Sequence, residues 1–136
     1  METSLQLTVA KLELKQLEMI EKLSEKHNDY VIRLIQSSVT DKFVAVNGDW
    51  ELVTGLKEIN SIGKGWEHII PTQEINKIFK HISEIKKQNN FDTFTTNLII
   101  RDGKFVSVNW KGKYFPEING LVFIGRVKRS WLINKF

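Results

Sequence analysis

The stretch from Phe43 to Gly55, FVAVNGDWELVTG, contains the change of pattern that decides the fold. A β-branched run ends at Asn47-Gly48, and the apolar residues that follow no longer alternate, which is typical of a strand that leads into a short helix. Asn47 or Asp49 is placed to cap the free amides at the start of this helix. Gly55 is predicted to end the helix.

The rest of the chain contains further strand patterns and a longer helix pattern. The predicted strands are 30–39, 43–46, 91–101, 104–114 and 120–128. The first two are expected to pair as a hairpin, and the third and fourth to turn at Asp102-Gly103. Residues 48–70 are predicted to form short helical pieces. Pro71 is well placed as the first residue of a helix that continues over 72–88.

The N-terminal region is predicted to form a long amphipathic helix, because residues 2–27 lack Gly and Pro and are rich in Leu, Glu and Lys. One apolar arc is a coiled-coil-like heptad seam, interrupted once by Gln16. The seam residues predicted to form a dimer interface are Leu5, Val9, Leu12, Met19 and Leu23. A nearly opposite arc contains Leu7, Ala10, Leu14 and Leu17. Two arcs favour a helix held between a partner helix and a sheet; the alternative is a helix buried wholly inside its own domain.

Composition indicates one soluble globular domain with an appendage. The chain has 136 residues, of which 41% are hydrophobic and 26% charged, both ordinary values. No apolar run approaches the roughly 20 residues of a membrane span, and the start lacks the pattern of a secretory signal. The absence of cysteine excludes disulfides, thiolate metal sites and cysteine nucleophiles. A cytoplasmic protein with no membrane partner is therefore expected.

The net charge of +4 is unevenly placed along the chain. Residues 1–30 contain six acids and four bases and sum to −2, so the remainder sums to +6. The last eleven residues contain four bases and no acid. This basic end is consistent with an acidic or nucleic-acid partner, or with a solvated terminus. A nucleic-acid partner is not expected, because no recognition helix or zinc-finger spacing is present.

The sequence contains no pattern typical of an active site. It has three histidines, His27, His68 and His81, and no Gly-x-Ser-x-Gly nucleophile turn. Gly63-Lys64-Gly65 is too short and wrongly followed for a phosphate-binding loop. We therefore expect a protein that is not an enzyme.

Four segments, in their order and spacing, resemble the Per-Arnt-Sim (PAS) sensor family. They are Val46-Asn47…Trp50…Gly55, Ile69-Ile70-Pro71, Asp102-Gly103 ahead of a strand containing Trp110, and Gly120…Gly125-Arg126. The resemblance covers about residues 33–128. It implies an α+β fold with a five-stranded antiparallel sheet and helices on one face, here preceded by the long N-terminal helix. The implied organisation is an N-terminal dimerisation helix over 1–29, a PAS domain over 30–129 and a basic tail over 130–136.

The PAS resemblance implies sensing and signal transduction through dimerisation and protein–protein interaction. Its implied partners are a second copy of the chain and a signalling kinase, cyclase or transcription regulator. Many family members continue through an Asp-Ile-Thr-like signature into a linker helix and an output domain. Val127-Lys128-Arg129 stands at that place here. A signal is therefore expected to leave through a partner, unless the chain is a fragment.

The family also binds ligands between the inner sheet face and the long helix. The corresponding residues here are Ile78, Phe79, Ile82, Phe94, Val108 and Trp110. The alternative is that these side chains simply fill the core. Some PAS proteins hold haem through a histidine on the helix after the proline; His81 lies about 240° around the helix from Ile75 and is predicted to be on the surface. Cysteinyl-flavin photochemistry is excluded by the lack of cysteine, and no cofactor is assigned.

The last predicted strand is apolar on both faces. Leu121 and Phe123 alternate with Val122 and Ile124. An antiparallel sheet that is open to water on one side normally shows one polar face. Something is therefore predicted to cover the second face, and the N-terminal helix with its two arcs is the candidate.

Overall fold

A computed structural model of the chain describes residues 29–88, 90–100 and 103–128. The strands are β1 Tyr30–Ser37, β2 Phe43–Gly48, β3 Asp92–Ile99, β4 Phe105–Phe115 and β5 Gly120–Val127. The helices are α1 Trp50–Thr54, α2 Glu58–Ser61 and α3 Ile75–Lys87, with 3-10 turns at Trp66–His68, Thr72–Glu74 and Pro116–Ile118. The predicted order of two strands, several helices and three strands is confirmed.

Two predicted regions lie outside the described residues. The predicted N-terminal helix with its seam falls within residues 1–28, and the predicted basic tail within residues 129–136. The seam residues concerned are Leu5, Val9, Leu12, Met19 and Leu23. Within the described ranges, no helix is long and apolar enough to cross a membrane.

The five strands form one antiparallel sheet in the order β2-β1-β5-β4-β3. The first and last strands are therefore neighbours, with Leu34 directly opposite Phe123. The β3–β4 hairpin is closed where the Ile100 amide donates to the Lys104 carbonyl at 2.8 Å. Gly103 has a φ of 72°, which an L side chain rarely adopts. The predicted turn at this position is confirmed.

One face of the sheet carries the main core. Helix α3 packs on this face with Ile78, Ile82 and Ile85, which recur every three or four residues along the helix. Helix α1 adds Trp50 and Val53 to the same cluster. The helices thus lie over what we call the inner face.

The opposite face carries a second buried apolar cluster, here called the outer cluster. Its members are Val31, Ile35, Ala45, Phe115, Ile118, Val122 and Ile124, none of them more than 8% exposed. Strand β5 contributes to both clusters, because Leu121 and Phe123 belong to the main core. The prediction of a last strand that is apolar on both faces is confirmed.

Two backbone amides of the edge strand β3 donate hydrogen bonds to the segment that precedes α3. The Ile99 amide donates to the Ile69 carbonyl at 2.7 Å, and the Asn97 amide donates to Glu74 Oε1 at 3.0 Å. These bonds occupy donors that would otherwise be open to pairing with another strand. They also hold the 66–74 segment beside the sheet.

The start of α1 differs from the predicted cap. Asp49 occupies the N-cap position without a side-chain capping bond. Its carboxylate instead accepts from the Val31 amide at 2.8 Å, while its own amide donates to the Val31 carbonyl at 2.9 Å. Asn47 does not cap either, and its Oδ1 is buried without a partner in the described part of the chain. Gly55 ends the helix in the left-handed conformation, as predicted.

Asn47→Asp tests this revised account of the strand-to-helix junction. Asn47 lies directly opposite Arg33 on β1, so the new carboxylate would face a guanidinium. Opposite charges across a strand pair contribute about 0.2–1 kcal/mol. We expect the free energy of unfolding, measured by urea denaturation, to stay level or rise within that range. The Arg33→Gln background should abolish any gain, and a loss above about 1 kcal/mol in Asn47→Asp alone would contradict the account.

Trp110→Ala is expected to lower the free energy of unfolding by about 3–5 kcal/mol. Trp110 is 2% exposed, and its Nε1 donates to Thr96 Oγ1 at 2.9 Å. The mutation would remove the hydrogen bond to Thr96 and leave a large cavity in the main core. Trp110→Phe is the matched control and should cost less, because most of the apolar volume remains. A melting temperature for Trp110→Ala within a degree or two of wild type would contradict this placement.

Candidate functional site

Five of the six predicted pocket residues meet in the main core between α3 and the inner sheet face. These are Ile78, Ile82, Phe94, Val108 and Trp110. Phe79 does not join them and is 44% exposed. It follows Ile78 by one residue, which places it about 100° further around the helix. The prediction that Phe79 faces inward is therefore wrong.

The centre of the inner face is occupied by Trp66, which sequence reasoning did not identify as a site residue. Its ring makes edge-to-face contacts with Trp110 and Phe123, each at 5.1 Å between centroids, and with Phe43 at 5.5 Å. The only signal in the sequence was a tryptophan in a segment bounded by glycines. A 3-10 turn has no extended apolar period that would show which way the ring points.

Two glycines show how closely the side chains fill this face. A Cβ at Gly112 would lie 2.8 Å from the Phe123 ring, and one at Gly125 would lie 2.7 Å from both Trp110 and Val108. These distances are shorter than carbon atoms tolerate without displacement. At both positions, core side chains already occupy the space that an added methyl group would need.

Gln36 is the second residue of this region that sequence reasoning missed. It is fully buried on β1, and its Oε1 accepts from Trp66 Nε1 at 2.7 Å. Because an indole N–H can only donate, this bond fixes which end of the amide faces Trp66. The Gln36 Nε2 is then buried without a partner among the described residues. It can donate to a polar group of a water molecule or small ligand.

His81 is half-buried rather than a simple surface residue. Its ring stacks on Phe94 with 4.6 Å between centroids and 17° between planes, and its Nδ1 lies 2.9 Å from Asp92 Oδ2. The helical angle correctly predicted that His81 points away from the buried residues of α3, Ile78, Ile82 and Ile85. The surface prediction is wrong because the start of β3 lies beside this flank of the helix.

Comparison with solved structures finds PAS domains. The PAS domain of the RpfR quorum-sensing receptor from Cronobacter turicensis, in complex with C12:0, is 19% identical, with a TM-score of 0.59 over 72% of this chain and 91% of that one. The PAS domain of an HTR-like protein from Haloarcula marismortui is 17% identical, with a TM-score of 0.59 over 86% and 94%. A domain of a sensor histidine kinase/response regulator from Geobacter sulfurreducens is 13% identical, with a TM-score of 0.58 over 81% and 92%.

No protein-family model and no curated protein sequence matches the chain. At the identities above, the likeness to solved structures is one of fold. The sheet order, the helices over one face and these structural matches agree with one another. The chain therefore has the PAS fold.

Proposed function

We propose that the chain is a sensory and regulatory module, not an enzyme, that transmits a signal through dimerisation and protein–protein interaction. Its PAS fold and the signalling proteins among the similar structures support this proposal. The partner would be a signalling kinase, a cyclase or a transcription regulator, and the site of action the cytoplasm. Because fold alone does not establish function, a surface of this chain has to carry the proposal.

The outer cluster is the observation that carries the proposal. An antiparallel sheet with helices on one side normally presents polar residues on the other. Here Val122 and Ile124 of β5 lie beside Val31 and Ile35 of β1 on the face opposite α1 and α3. These four side chains are between 0% and 3% exposed. A face this apolar needs a covering element, and burial this complete in a single chain favours an element of the same chain.

The N-terminal segment is the proposed occupant of this face. This segment leads directly into β1. Val31, the second residue of β1, belongs to the outer cluster. Its arc of Leu7, Ala10, Leu14 and Leu17 matches an apolar surface. The seam on the other side of this helix would then face away from the sheet. It would pair with the seam of a second copy of the chain. An isolated helix of this length would be marginal in water, so packing on both sides would stabilise it.

Leu12→Asp is expected to convert the dimer to a monomer. Leu12 lies in the middle of the predicted seam, where a carboxylate would lose hydration without gaining a partner. The measurement is light scattering at tens of micromolar, with circular dichroism to confirm folding. Lys11→Gln is the matched control, since it also changes the net charge by one unit but lies outside both arcs. A wild-type monomer, or a dimeric Leu12→Asp, would overturn this arrangement.

A second candidate function is a small-molecule or haem sensor that uses the core. The buried Gln36 Nε2 favours a small polar ligand, because leaving such a donor unpaired costs about 1–3 kcal/mol. The similar RpfR PAS domain is in complex with C12:0, so a PAS domain can hold a small molecule. Such a ligand would accept a hydrogen bond from Gln36 and lie beside Trp66.

Native mass spectrometry tests the sensor function. A co-purified ligand would add mass to the chain, and its removal should shift the NMR signals of the Gln36 amide and the Trp66 indole N–H. Gln36→Leu should lose the ligand, whereas the exposed-residue control Gln73→Leu should retain it. A mass equal to the bare chain, with absorbance only near 280 nm, would rule out a resident haem or flavin and count against the sensor function.

A further inference from the structure

Three potential metal ligands meet on the flank of α3, at the edge of the main core. His81 and Glu84 are three residues apart on the helix and so lie on the same side. Asp92 is the first residue of β3 and approaches from the sheet. One potential ligand atom from each residue lies within 4.8 Å of those of the other two. The cluster thus combines residues from two different elements.

Packing fixes the orientation of the His81 ring before any ion binds. The ring is stacked on Phe94, and its Nδ1 is 2.9 Å from Asp92 Oδ2. The His81 and Asp92 side chains are 25% and 22% exposed, so they are partly withdrawn from water yet reachable. A site held in this way loses less conformational entropy on binding than one built from free surface side chains. The open side leaves room for water as a further ligand.

The donor set selects a class of ion. One imidazole and two carboxylates suit a first-row transition-metal dication, whereas Ca²⁺ and Mg²⁺ prefer oxygen ligands alone. Zn²⁺ binds nitrogen and carboxylate oxygen at about 2.0–2.2 Å, so tetrahedral ligand atoms lie roughly 3.3 Å apart. The ligand atoms lie within 4.8 Å of one another, so the widest separation has to close by at most roughly 1.5 Å, which a change of rotamer at Glu84 can supply.

We propose that His81, Glu84 and Asp92 bind a transition-metal dication such as Zn²⁺, with water completing its coordination. The ion would link the second half of α3 to the start of β3. It would take the place of the direct contact between His81 and Asp92, so their two ligand atoms would move slightly apart. Its three ligands are distinct from the residues proposed for the dimer interface and for a ligand in the core, although His81 stacks on Phe94 of the main core.

The test is a calorimetric titration of ZnCl₂ into the chelator-treated full-length chain. One Zn²⁺ per chain should bind, and Glu84→Gln, His81→Gln and Asp92→Asn should each weaken binding by about tenfold or more. Glu84→Gln is the decisive variant, because it keeps the side-chain shape and leaves the His81–Phe94 stack in place. The matched controls are His27→Gln and His68→Gln, which remove the other two histidines and should bind as wild type.

A second measurement separates ligation from general stability. Zn²⁺ should raise the melting temperature of wild type and of both control variants, but not that of Glu84→Gln, since an ion stabilises the folded form only where it binds. NMR signals of His81 and Phe94 should shift on titration. Absence of binding to wild type, or an affinity equal to that of wild type in Glu84→Gln or Asp92→Asn, would overturn the proposal. Loss of binding in His68→Gln would place the ion elsewhere and overturn it as well.

Discussion

The burial of the Trp66 indole is the interaction on which the rest of this fold depends. Its ring meets Phe43 of β2, Trp110 of β4 and Phe123 of β5, and its N–H donates to Gln36 of β1. One side chain from a short turn therefore touches four of the five strands. Aromatic pairs of this geometry contribute about 0.5–1.5 kcal/mol each beyond their buried area. The N–H also requires a partner, which explains the glutamine on β1, where the inward residues Ile32 and Leu34 are apolar.

Most of the fold could be predicted from the sequence, because its elements are encoded by residues close together in the chain. The alternation along β5 and the three- and four-residue spacing of Ile78, Ile82 and Ile85 each identify an element without reference to its neighbours. Asp102-Gly103 and Gly55 identify a turn and a helix end in the same local way. The order of these elements then limits the possible topologies to a few.

The sequence-based predictions that were wrong or incomplete share one physical cause. Each concerns a residue whose contacts lie far away along the chain. Asp49 is a residue type that commonly caps helices, but the amide of Val31, 18 residues earlier at the start of β1, donates to its carboxylate instead. A helical wheel gives the angle of His81 but not the presence of Asp92 on the next element. Trp66 lies in a turn too short to have a period. The candidate functional residues are concentrated in this group, so the site was less predictable than the fold.

Strand β5 connects the two apolar clusters of the structure. Leu121 and Phe123 pack in the main core, while Val122 and Ile124 pack in the outer cluster. Because successive side chains of one strand share a nearly rigid backbone, a displacement of Phe123 must be accommodated by its neighbours on the other face. Phe123 touches Trp66, and the β5 neighbours on the sheet are β1 and β4. A change in core packing would therefore reach the outer cluster through a single central strand, without a hinge or a separate relay. Under the proposed function, an element packed on the outer cluster would respond to such a change.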